Sequence, residues 1–443
     1  MSMLTTLELA TAIRERRISA VEALDVQLAR IEKHNDALNA VVTLDGDGAV
    51  KRAREADRAL ARGEVFGPLH GVPFLLKDAH ATSGMRTTTG SPAFDHVPGE
   101  DGTVAARLKA AGAILVGKTN VAEMLADYQT DNPIFGRTNN PWDLTRTSGG
   151  SSGGAAAAVA TGMTPFDVGT DLSASIRIPA HFCGVFGLKP TERRVSLVGV
   201  VPDPRNAPRP VRIMSSCGPL ARSVDDLELL YTILAGPDGR DTDVAPVPID
   251  PIPEVDLENL RVAFAETFPQ IPVSTEIRNG IRDLARELDR AGAIVEEASV
   301  PPVDLSKAGE LIGMITGGRA ALADYNAALD VRDRAIAAWE TFFDTCDVLL
   351  CPPCMTTAFP HCESGAPLDV DGEKVTYWLV SAHATMFNYT GHPAAVLPYK
   401  LDRNGLPIGV QLVTKRWSDS RLLGAARAIS AITGEFRPPA AAF

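Results

Sequence analysis

Apolar and polar residues follow one another along the chain in two patterns, one with helical spacing and one typical of short buried strands. Near the N-terminus, Ser19 is followed three residues later by Glu22, the arrangement of a capping box that opens a helix. Apolar side chains then recur at helical spacing, at positions 21, 24, 28 and 31. The pattern of the first 35 residues therefore predicts helices.

Strands and helices are predicted in alternation over most of the remaining chain. Strands are predicted over residues 41–44, 72–76, 113–116, 165–168, 261–265, 294–297, 348–350, 394–398 and 408–413. Helices are predicted over residues 51–62, 103–111, 121–125 and 276–291, and another begins at residue 155. This succession predicts an α/β fold with a large mixed central sheet covered by helices on both faces.

Two proline-rich stretches, residues 202–210 and 246–253, predict loops. The second separates the motif-rich half of the chain from the rest. Strand signals on its two sides are alike and the composition does not shift there, so we predict a single domain over residues 1–443, with a catalytic core at about 65–220.

Composition and charge narrow the function classes. A formal charge of -12 and a pI near 5.2 repel phosphate backbones, which argues against a nucleic-acid partner and favours a small-molecule substrate. Residues 1–17 lack the basic start and unbroken apolar run of a secretory signal. No stretch reaches the roughly 18 to 20 uncharged apolar residues that span a bilayer. These features predict a cytoplasmic protein without a membrane partner.

Four of the six cysteines cluster with His361, at positions 346, 351, 354 and 362. This cluster could be a zinc site or a redox pair. However, two prolines separate Cys351 from Cys354, and the chain has no second pair with that spacing. Buried structural thiols are the favoured interpretation, and no metal or cofactor is predicted.

A run of small residues at 147–154, Thr-Ser-Gly-Gly-Ser-Ser-Gly-Gly, leads directly into an alanine-rich helix. Such a run permits close backbone approach and left-handed conformations, and its free N–H groups point above the helix N-terminus. A flexible linker has a similar composition, but linkers rarely lead straight into an apolar helix.

A second segment with the character of a site covers residues 169–179, Gly-Thr-Asp-Leu-Ser-Ala-Ser-Ile-Arg-Ile-Pro. It follows a predicted strand, so Ser175 is expected at a turn beside unpaired backbone donors, as acyl transfer requires. A serine needs a base. None of the eight histidines has a local partner pattern, whereas Lys77 ends an apolar strand, where burial would lower its pKa from roughly 10.4.

These segments resemble the amidase signature family, whose hallmark is a Gly/Ser-rich segment followed by GTD-x-x-x-S-I-R-x-P. Further similar motifs are found at residues 77–78, 135–136, 140–142, 182–190, 218–220 and 405–411. The resemblance implies that Lys77 is the base, that Ser151 relays the proton and follows a cis peptide bond, and that Ser175 is the nucleophile. It also implies a homodimer.

In the mechanism that this resemblance implies, neutral Lys77 takes a proton from Ser151, Ser151 takes one from Ser175, and the alkoxide attacks the amide carbonyl. The backbone N–H groups of residues 172–175, which include Leu172, Ser173 and Ala174, are expected to bind the oxyanion, each worth about 10² to 10³ in rate. Most relatives have glycine at the position of Ala174. A positive φ there would cost about 1 kcal/mol or more for an alanine.

Other residues have two interpretations each. Asp171 and Arg177, with Thr170 beside them, resemble residues that support the nucleophile loop; Arg177 could instead contact an acidic substrate. Leu125 matches an acyl-pocket position of the family, but a core leucine is the simpler interpretation. Arg205, Arg209 and Arg212 could bind an anion or lie in a solvated loop. The substrate pocket is expected around residues 125–135, 200–215, 310–320 and 376–390.

Competing functions remain open at this point. Residues 149–153 also match the G-x-S-x-G elbow, with Ser151 as nucleophile, but no apolar strand precedes them. The favoured function is amide hydrolysis. The alternative is the A-type component of a tRNA-dependent amidotransferase complex, and a third possibility, suggested by Ser173 and Ala174, is a non-catalytic binding protein.

Overall fold

The computed structural model describes residues 3–200, 212–302, 304–317 and 320–440. Over these residues the helices are α1 (Thr6–Arg14), α2 (Ala20–Leu38), α3 (Gly46–Ala61), α4 (Thr103–Ala110), α5 (Gly153–Ala160), α6 (Arg177–Cys183), α7 (Val224–Leu234), α8 (Thr275–Arg290), α9 (Leu305–Gly317), α10 (Leu322–Phe342), α11 (Ala382–Tyr389) and α12 (Asp419–Thr433). The strands are β1 (Val41–Leu44), β2 (Pro73–Lys77), β3 (Ile114–Thr119), β4 (Asp167–Asp171), β5 (Phe186–Lys189), β6 (Ser216–Ala221), β7 (Arg261–Phe264), β8 (Ile294–Glu297), β9 (Val348–Cys351), β10 (Leu368–Val370), β11 (Glu373–Val375), β12 (Ala394–Leu401) and β13 (Pro407–Val413).

Most of the predicted elements are present with ends shifted by a few residues. The predicted capping box opens α2: the Glu22 N–H donates to the Ser19 hydroxyl, and the Ser19 N–H donates to the Glu22 carboxylate at 2.8 Å. The helix predicted over residues 121–125 is wrong. Only one 3₁₀ turn forms there, because Met124 and Leu125 have φ values of 50° and 60° and the N–H of Met124 donates to Thr89 instead of to its own segment.

The largest sheet has eight strands in the order β4-β6-β5-β12-β13-β9-β7-β8. Its pairings are antiparallel from β4 to β9 and parallel where β7 pairs with β9 and β8. A mixed central sheet is therefore confirmed. Strands from the last quarter of the chain pair directly with β5, so the C-terminal region completes the sheet that carries β4.

Helices cover both faces of this sheet. Along β12, Ala395 and Leu397 point into the core formed with α7 and α12, whereas Val396 packs with α6 and Ala394 with α11. Successive side chains of a strand point to opposite faces, so this alternation shows apolar layers on both sides. The predicted α/β fold with helices on both faces is confirmed.

A smaller sheet of three strands, in the order β1-β3-β2, lies beside β4. Side chains rather than a backbone ladder join the two sheets: the N–H of Leu75 donates to Thr164 Oγ1 at 3.0 Å, and that of Lys77 donates to Asp167 Oδ1 at 2.8 Å. Phe74 and Phe166 also stack, with centroids 5.1 Å apart. These contacts bring the ends of β2 and β4 to one place.

Several other predictions concern loops and cysteines. Residues 246–253 form no helix or strand, as predicted, while residues 202–210 lie outside the described residues. Cys346, Cys351 and Cys354 are buried thiols, and Cys362 is half-buried. Burial raises the pKa of Cys351 and Cys354 to about 12, so both are poor thiolate sources. None of the described helices combines the length and apolar character needed to cross a bilayer.

Candidate active site

Lys77 is the last residue of β2 and is completely buried. Burial lowers the pKa of its amine to about 7, and the negative charges near it, Asp171 first among them, oppose that shift only in part. A lysine with a pKa near 7 is substantially neutral at neutral pH and has a free lone pair. A neutral amine can accept a proton, and the role of Lys77 as the base stays a prediction.

Three hydroxyl groups surround the Lys77 amine. Its Nζ lies 2.8 Å from the Oγ of Ser151, 2.8 Å from the Oγ of Ser152 and 2.8 Å from the Oγ1 of Thr170. A protonated amine donates to all three hydroxyls, whereas a neutral amine has two N–H bonds and one lone pair. In the neutral form, one hydroxyl must therefore donate to Lys77 while the other two accept from it.

The Gly/Ser-rich segment folds tightly around Ser151. The Gly150–Ser151 peptide bond is cis. Thr130 ties the segment together, since its Oγ1 donates to the carbonyl of Gly149 at 2.8 Å and accepts from the N–H of Gly153 at 2.9 Å. A side chain at Gly154 would place its Cβ 2.5 Å from the backbone of Asn120. Glycine at that position allows the N-terminus of α5 to approach β3, and Ser151 to reach Lys77.

A second titratable group, Asp167, lies beside the lysine. Its carboxylate accepts from the backbone N–H of Lys77 and, at 2.8 Å, from the hydroxyl of Thr119. Burial raises the pKa of Asp167 to about 7, although these hydrogen bonds oppose the shift. Lys77 and Asp167 therefore titrate in the same pH range and influence one another.

The loop that carries Ser175 follows β4. Ala174 has a φ of 72°, the left-handed conformation that the sequence analysis considered. The Ala174 N–H donates to Asp171 Oδ1 at 2.8 Å and to Asn388 Oδ1 at 3.2 Å. This N–H is therefore engaged inside the loop, and the oxyanion role expected for it is not supported. The carbonyl of Ser175 accepts from the N–H of Ser152 at 3.3 Å, which joins the two serine segments.

Asp171 and Arg177 support this loop. Arg177 donates to both oxygens of Asp171 at 3.0 Å, and both side chains are completely buried. Burial by itself would raise the pKa of Asp171, but the Arg177 charge and hydrogen bonds lower it to about 2. Arg177 also donates to Gln411 and the carbonyl of Ala384, at 2.8 and 2.6 Å. These contacts favour the bracing interpretation over contact with substrate.

A cavity of about 370 Å³ opens over the serines. It is lined by Ser151, Thr170 and Ser175, and by Leu172 and Ser173. All four of the expected regions contribute to the remaining walls, through residues 124–128, residue 200 with 212–216, residues 312–316 and residue 378, and Asp171 and Leu197 add to them. Ser175 is 7% exposed, and a ligand in this cavity would contact it there. A more open groove of about 750 Å³ near Arg146 includes none of the three predicted catalytic residues.

Two of the open interpretations concern cavity residues. Leu125 lines the cavity and is only half-buried, which favours the acyl-pocket interpretation over a core leucine. Arg212 also lines the cavity, and its guanidinium lies 3.4 Å from Asp243 and 3.6 Å from Asp241. Arg205 and Arg209 lie outside the described residues.

Several residues of this site were not predicted from the sequence. Ser152 directly follows Ser151, but nothing in the motif indicated that it too contacts Lys77. Asn388 donates to the carbonyl of Asp171 at 2.9 Å from α11, more than 200 residues away along the chain. Tyr128, Ser381 and Thr385 form hydrogen bonds with the loop that carries Ser175, through Ser173. Ser152 lies in the GGSSGG segment and the other four residues lie in the expected pocket regions 125–135 and 376–390, but no local pattern indicated their contacts.

Known proteins resemble this chain over most of its length. A family model described as Amidase matches residues 22–324 and 310–423. The A-type component of the glutamyl-tRNA(Gln) amidotransferase of Alkaliphilus metalliredigens (strain QYMF) is 30% identical, over 98% of this chain and 97% of its own. An indoleacetamide hydrolase of Bradyrhizobium diazoefficiens is 35% identical, over 96% of this chain and 86% of its own. A solved bacterial aryl acylamidase of the amidase signature family superposes with a TM-score of 0.85, at 25% identity, over 97% of this chain and 96% of its own.

Proposed function

This chain belongs to the amidase family, and from that premise we propose that it hydrolyses the carbon–nitrogen bond of a carboxylic amide through an acyl-enzyme on Ser175. The observation that carries the proposal is the contact of 2.8 Å between the Lys77 amine and the Ser151 hydroxyl, beside the cavity that Ser175 lines. This arrangement supports our assignment of Lys77 as the buried base, Ser151 as the relay and Ser175 as the nucleophile.

The first half of the reaction forms the ester. Neutral Lys77 accepts the proton of Ser151 while Ser151 accepts that of Ser175, and the Ser175 oxygen attacks the amide carbonyl. Ser152 and Thr170 accept the two remaining N–H bonds of the amine, so that its lone pair faces Ser151. The proton then returns through Ser151 to the nitrogen of the leaving group, the carbon–nitrogen bond breaks, and an amine or ammonia departs.

The second half uses water in the same way. A water molecule transfers a proton through the relay to Lys77, attacks the ester carbonyl, and releases the carboxylic acid and the Ser175 hydroxyl. In both halves the negative oxygen needs backbone donors. We assign this role to the N–H groups of Leu172, Ser173 and Ser175, residues that line the cavity, and not to Ala174, whose N–H is already donated.

Most of the surface of the cavity wall is apolar, with contributions from Leu125, Leu172, Ile312 and Trp378. Such a wall favours an amide with an aromatic or aliphatic acyl group, because burying the apolar surface supplies binding energy. The three charged residues that line the described wall already have partners: Arg212 pairs with two aspartates, Asp171 pairs with Arg177, and Asp127 accepts from the hydroxyl of Tyr377.

A second candidate function is that of one component of a tRNA-dependent amidotransferase. The relative from Alkaliphilus metalliredigens carries that name. Asp127 and Arg212 at the cavity wall could bind the charged ends of a glutamine, if Arg212 exchanged its present partners. A chain of this kind would act with partner proteins, whereas a hydrolase needs only a small-molecule amide.

Ammonia release separates the two functions. The purified chain, incubated alone, is expected to release ammonia from phenylacetamide or hexanamide more efficiently than from glutamine, and the Ser175→Ala variant is expected to lose this activity. Activity on glutamine that rises when candidate partner proteins are added, with none on the apolar amides, would favour the amidotransferase. Turnover that survives in Ser175→Ala would refute the acyl-enzyme.

We further propose that residues 1–443 form a single domain and that the protein is a homodimer. Light scattering coupled to size exclusion tests the dimer, for which a mass of twice 47.0 kDa is expected. A single cooperative unfolding transition, the same by fluorescence and circular dichroism, is expected of one domain.

A further inference from the structure

Four hydroxyl groups form a closed ring at one wall of the cavity. Tyr128 lies 2.9 Å from Ser173, and Ser173 lies 2.6 Å from Thr385. Thr385 donates to Ser381 at 2.9 Å, and Ser381 donates to Tyr128 at 2.7 Å. A fifth contact, Ser173 to Ser381 at 3.3 Å, crosses the ring and is the longest of the set. These four residues are called the hydroxyl ring below.

The protons of the hydroxyl ring can be counted. Each hydroxyl has one proton to donate and two lone pairs to accept. With Thr385 donating to Ser381 and Ser381 donating to Tyr128, the ring closes when Tyr128 donates to Ser173 and Ser173 donates to Thr385. Every oxygen then donates once and accepts once. All four protons are used, and each oxygen keeps one lone pair.

The ring has a cavity side and a buried side. Tyr128 and Ser173 line the cavity, whereas Ser381 and Thr385 are only 2% and 6% exposed behind them. A ligand therefore meets two oxygens that have lone pairs to offer and no proton to give. Such a surface binds an N–H or O–H group and leaves a carbonyl or ether oxygen unpaired, which is costly inside an apolar cavity.

We infer that the hydroxyl ring is a specificity determinant: it selects amides whose apolar skeleton carries an additional N–H or O–H donor, separate from the scissile bond. This inference rests on the proposed amide hydrolysis and adds the polar feature of its substrate. The ring includes Ser173, two residues before the nucleophile, so substrate binding at the ring also positions the reacting carbonyl near Ser175.

The test measures binding separately from turnover. In the Ser175→Ala background, calorimetry compares 2-, 3- and 4-hydroxyphenylacetamide with the three fluoro analogues, which have nearly the same shape but no donor. At least one hydroxyl isomer is expected to bind about tenfold more tightly than its fluoro partner. Affinities that are equal for all three pairs, or higher for the fluoro compounds, would overturn the inference.

Variants test whether the hydroxyl ring causes the preference for the hydroxyl compounds over their fluoro analogues. Tyr128→Phe and Ser173→Ala, each combined with Ser175→Ala, remove one cavity-facing oxygen and are expected to reduce the preference to about twofold or less. Thr316→Val is the matched control, since Thr316 lines the same cavity but donates at 2.7 Å to the carbonyl of Ile312 in its own helix. The Thr316→Val variant should keep the preference for the hydroxyl compounds. A preference that survives in both ring variants would contradict the assignment, and thermal unfolding of each protein verifies that it is folded.

Turnover by the unmutated chain distinguishes a failure of the proposed amide hydrolysis from a failure of the proposed role of the hydroxyl ring. Hydrolysis of phenylacetamides without any preference for the hydroxyl isomers would refute the ring and leave amide hydrolysis standing. A binding preference in Ser175→Ala, with no hydrolysis of any isomer by the unmutated chain, would refute the proposed activity while supporting the ring.

Discussion

Arg177 and Asp171 form an ion pair through two hydrogen bonds of 3.0 Å, and neither side chain is exposed to solvent. The same carboxylate accepts the N–H groups of Ala174 and Ile176, on the two sides of Ser175. The pair therefore holds the nucleophile loop from beneath. The two charges neutralise each other beneath Ser175, and Asp171 also lines part of the cavity.

Arg177→Met should destabilise the protein strongly, because it leaves the buried carboxylate of Asp171 unpaired. A loss of about 3 to 5 kcal/mol in the free energy of unfolding is expected, measured by urea titration. Arg261→Met is the matched control: Arg261 also pairs with an aspartate, Asp347, but 45% and 38% of these two side chains are exposed. Arg261→Met should lose less than about 1 kcal/mol of the free energy of unfolding. Equal losses in the two variants would contradict the bracing role.

The pH dependence of activity should reflect the titration of the Lys77 amine. Burial lowers the pKa of this amine to about 7, and only the neutral amine accepts a proton. The value of kcat/KM should therefore rise about tenfold per pH unit below the inflection and level off above pH 7 to 8. Lys77→Met should abolish the activity. Lys189→Met is the control, since burial also lowers the pKa of Lys189 to about 7 but its amine donates to the carbonyl of Pro190.

Asp167 titrates in the same range, so its contribution is tested separately. Asp167→Asn removes a negative charge that favours protonated Lys77, and the inflection should move to lower pH. An inflection that disappears in Asp167→Asn would assign the titration to the carboxylate and contradict the role of Lys77 as base.

Ser152→Ala should weaken catalysis without removing the nucleophile or the relay. The Ser152 hydroxyl accepts from Lys77 at 2.8 Å, as does Thr170. A hydrogen bond of this kind stabilises the charged amine more than the neutral one, so its loss should lower the pKa of Lys77 further. The plateau of kcat/KM should fall about tenfold while its inflection moves to lower pH. Thr170→Val should behave similarly. An inflection that moves to higher pH would argue against this arrangement.

Substitutions at Ala174 test which side chains the left-handed backbone of the nucleophile loop accepts. Its φ of 72° and complete burial leave no room for a branched side chain. Ala174→Val should cost about 2 kcal/mol or more and reduce kcat sharply. Ala174→Gly relieves the backbone but loses a buried methyl group, so stability should stay within about 1 kcal/mol. Chemical denaturation measures both variants. If Ala174→Val were as stable as the natural chain, the left-handed backbone at this residue would be refuted.

Much of the fold could be predicted from the sequence because the patterns that form it are local. The capping box at Ser19 and Glu22 opened a helix as predicted, and the apolar run before Lys77 formed a buried strand. Residues 121–125 show the limit: their composition suits a helix, yet backbone bonds to distant segments hold them in another conformation. Tertiary contacts outweighed local preference there.

The sequence by itself determined the fold class and the residue types of the site, because hydrophobic periodicity and a motif of fixed spacing are readable along the chain. Only the tertiary structure decided that Ser152 and Thr170 share the Lys77 amine, that the Ala174 N–H is used internally, and that Tyr128 and α11 complete the wall beside Ser173. These relationships join residues up to more than 200 positions apart. Hydrogen-bond partners and burial depend on distances in space, which no local pattern encodes.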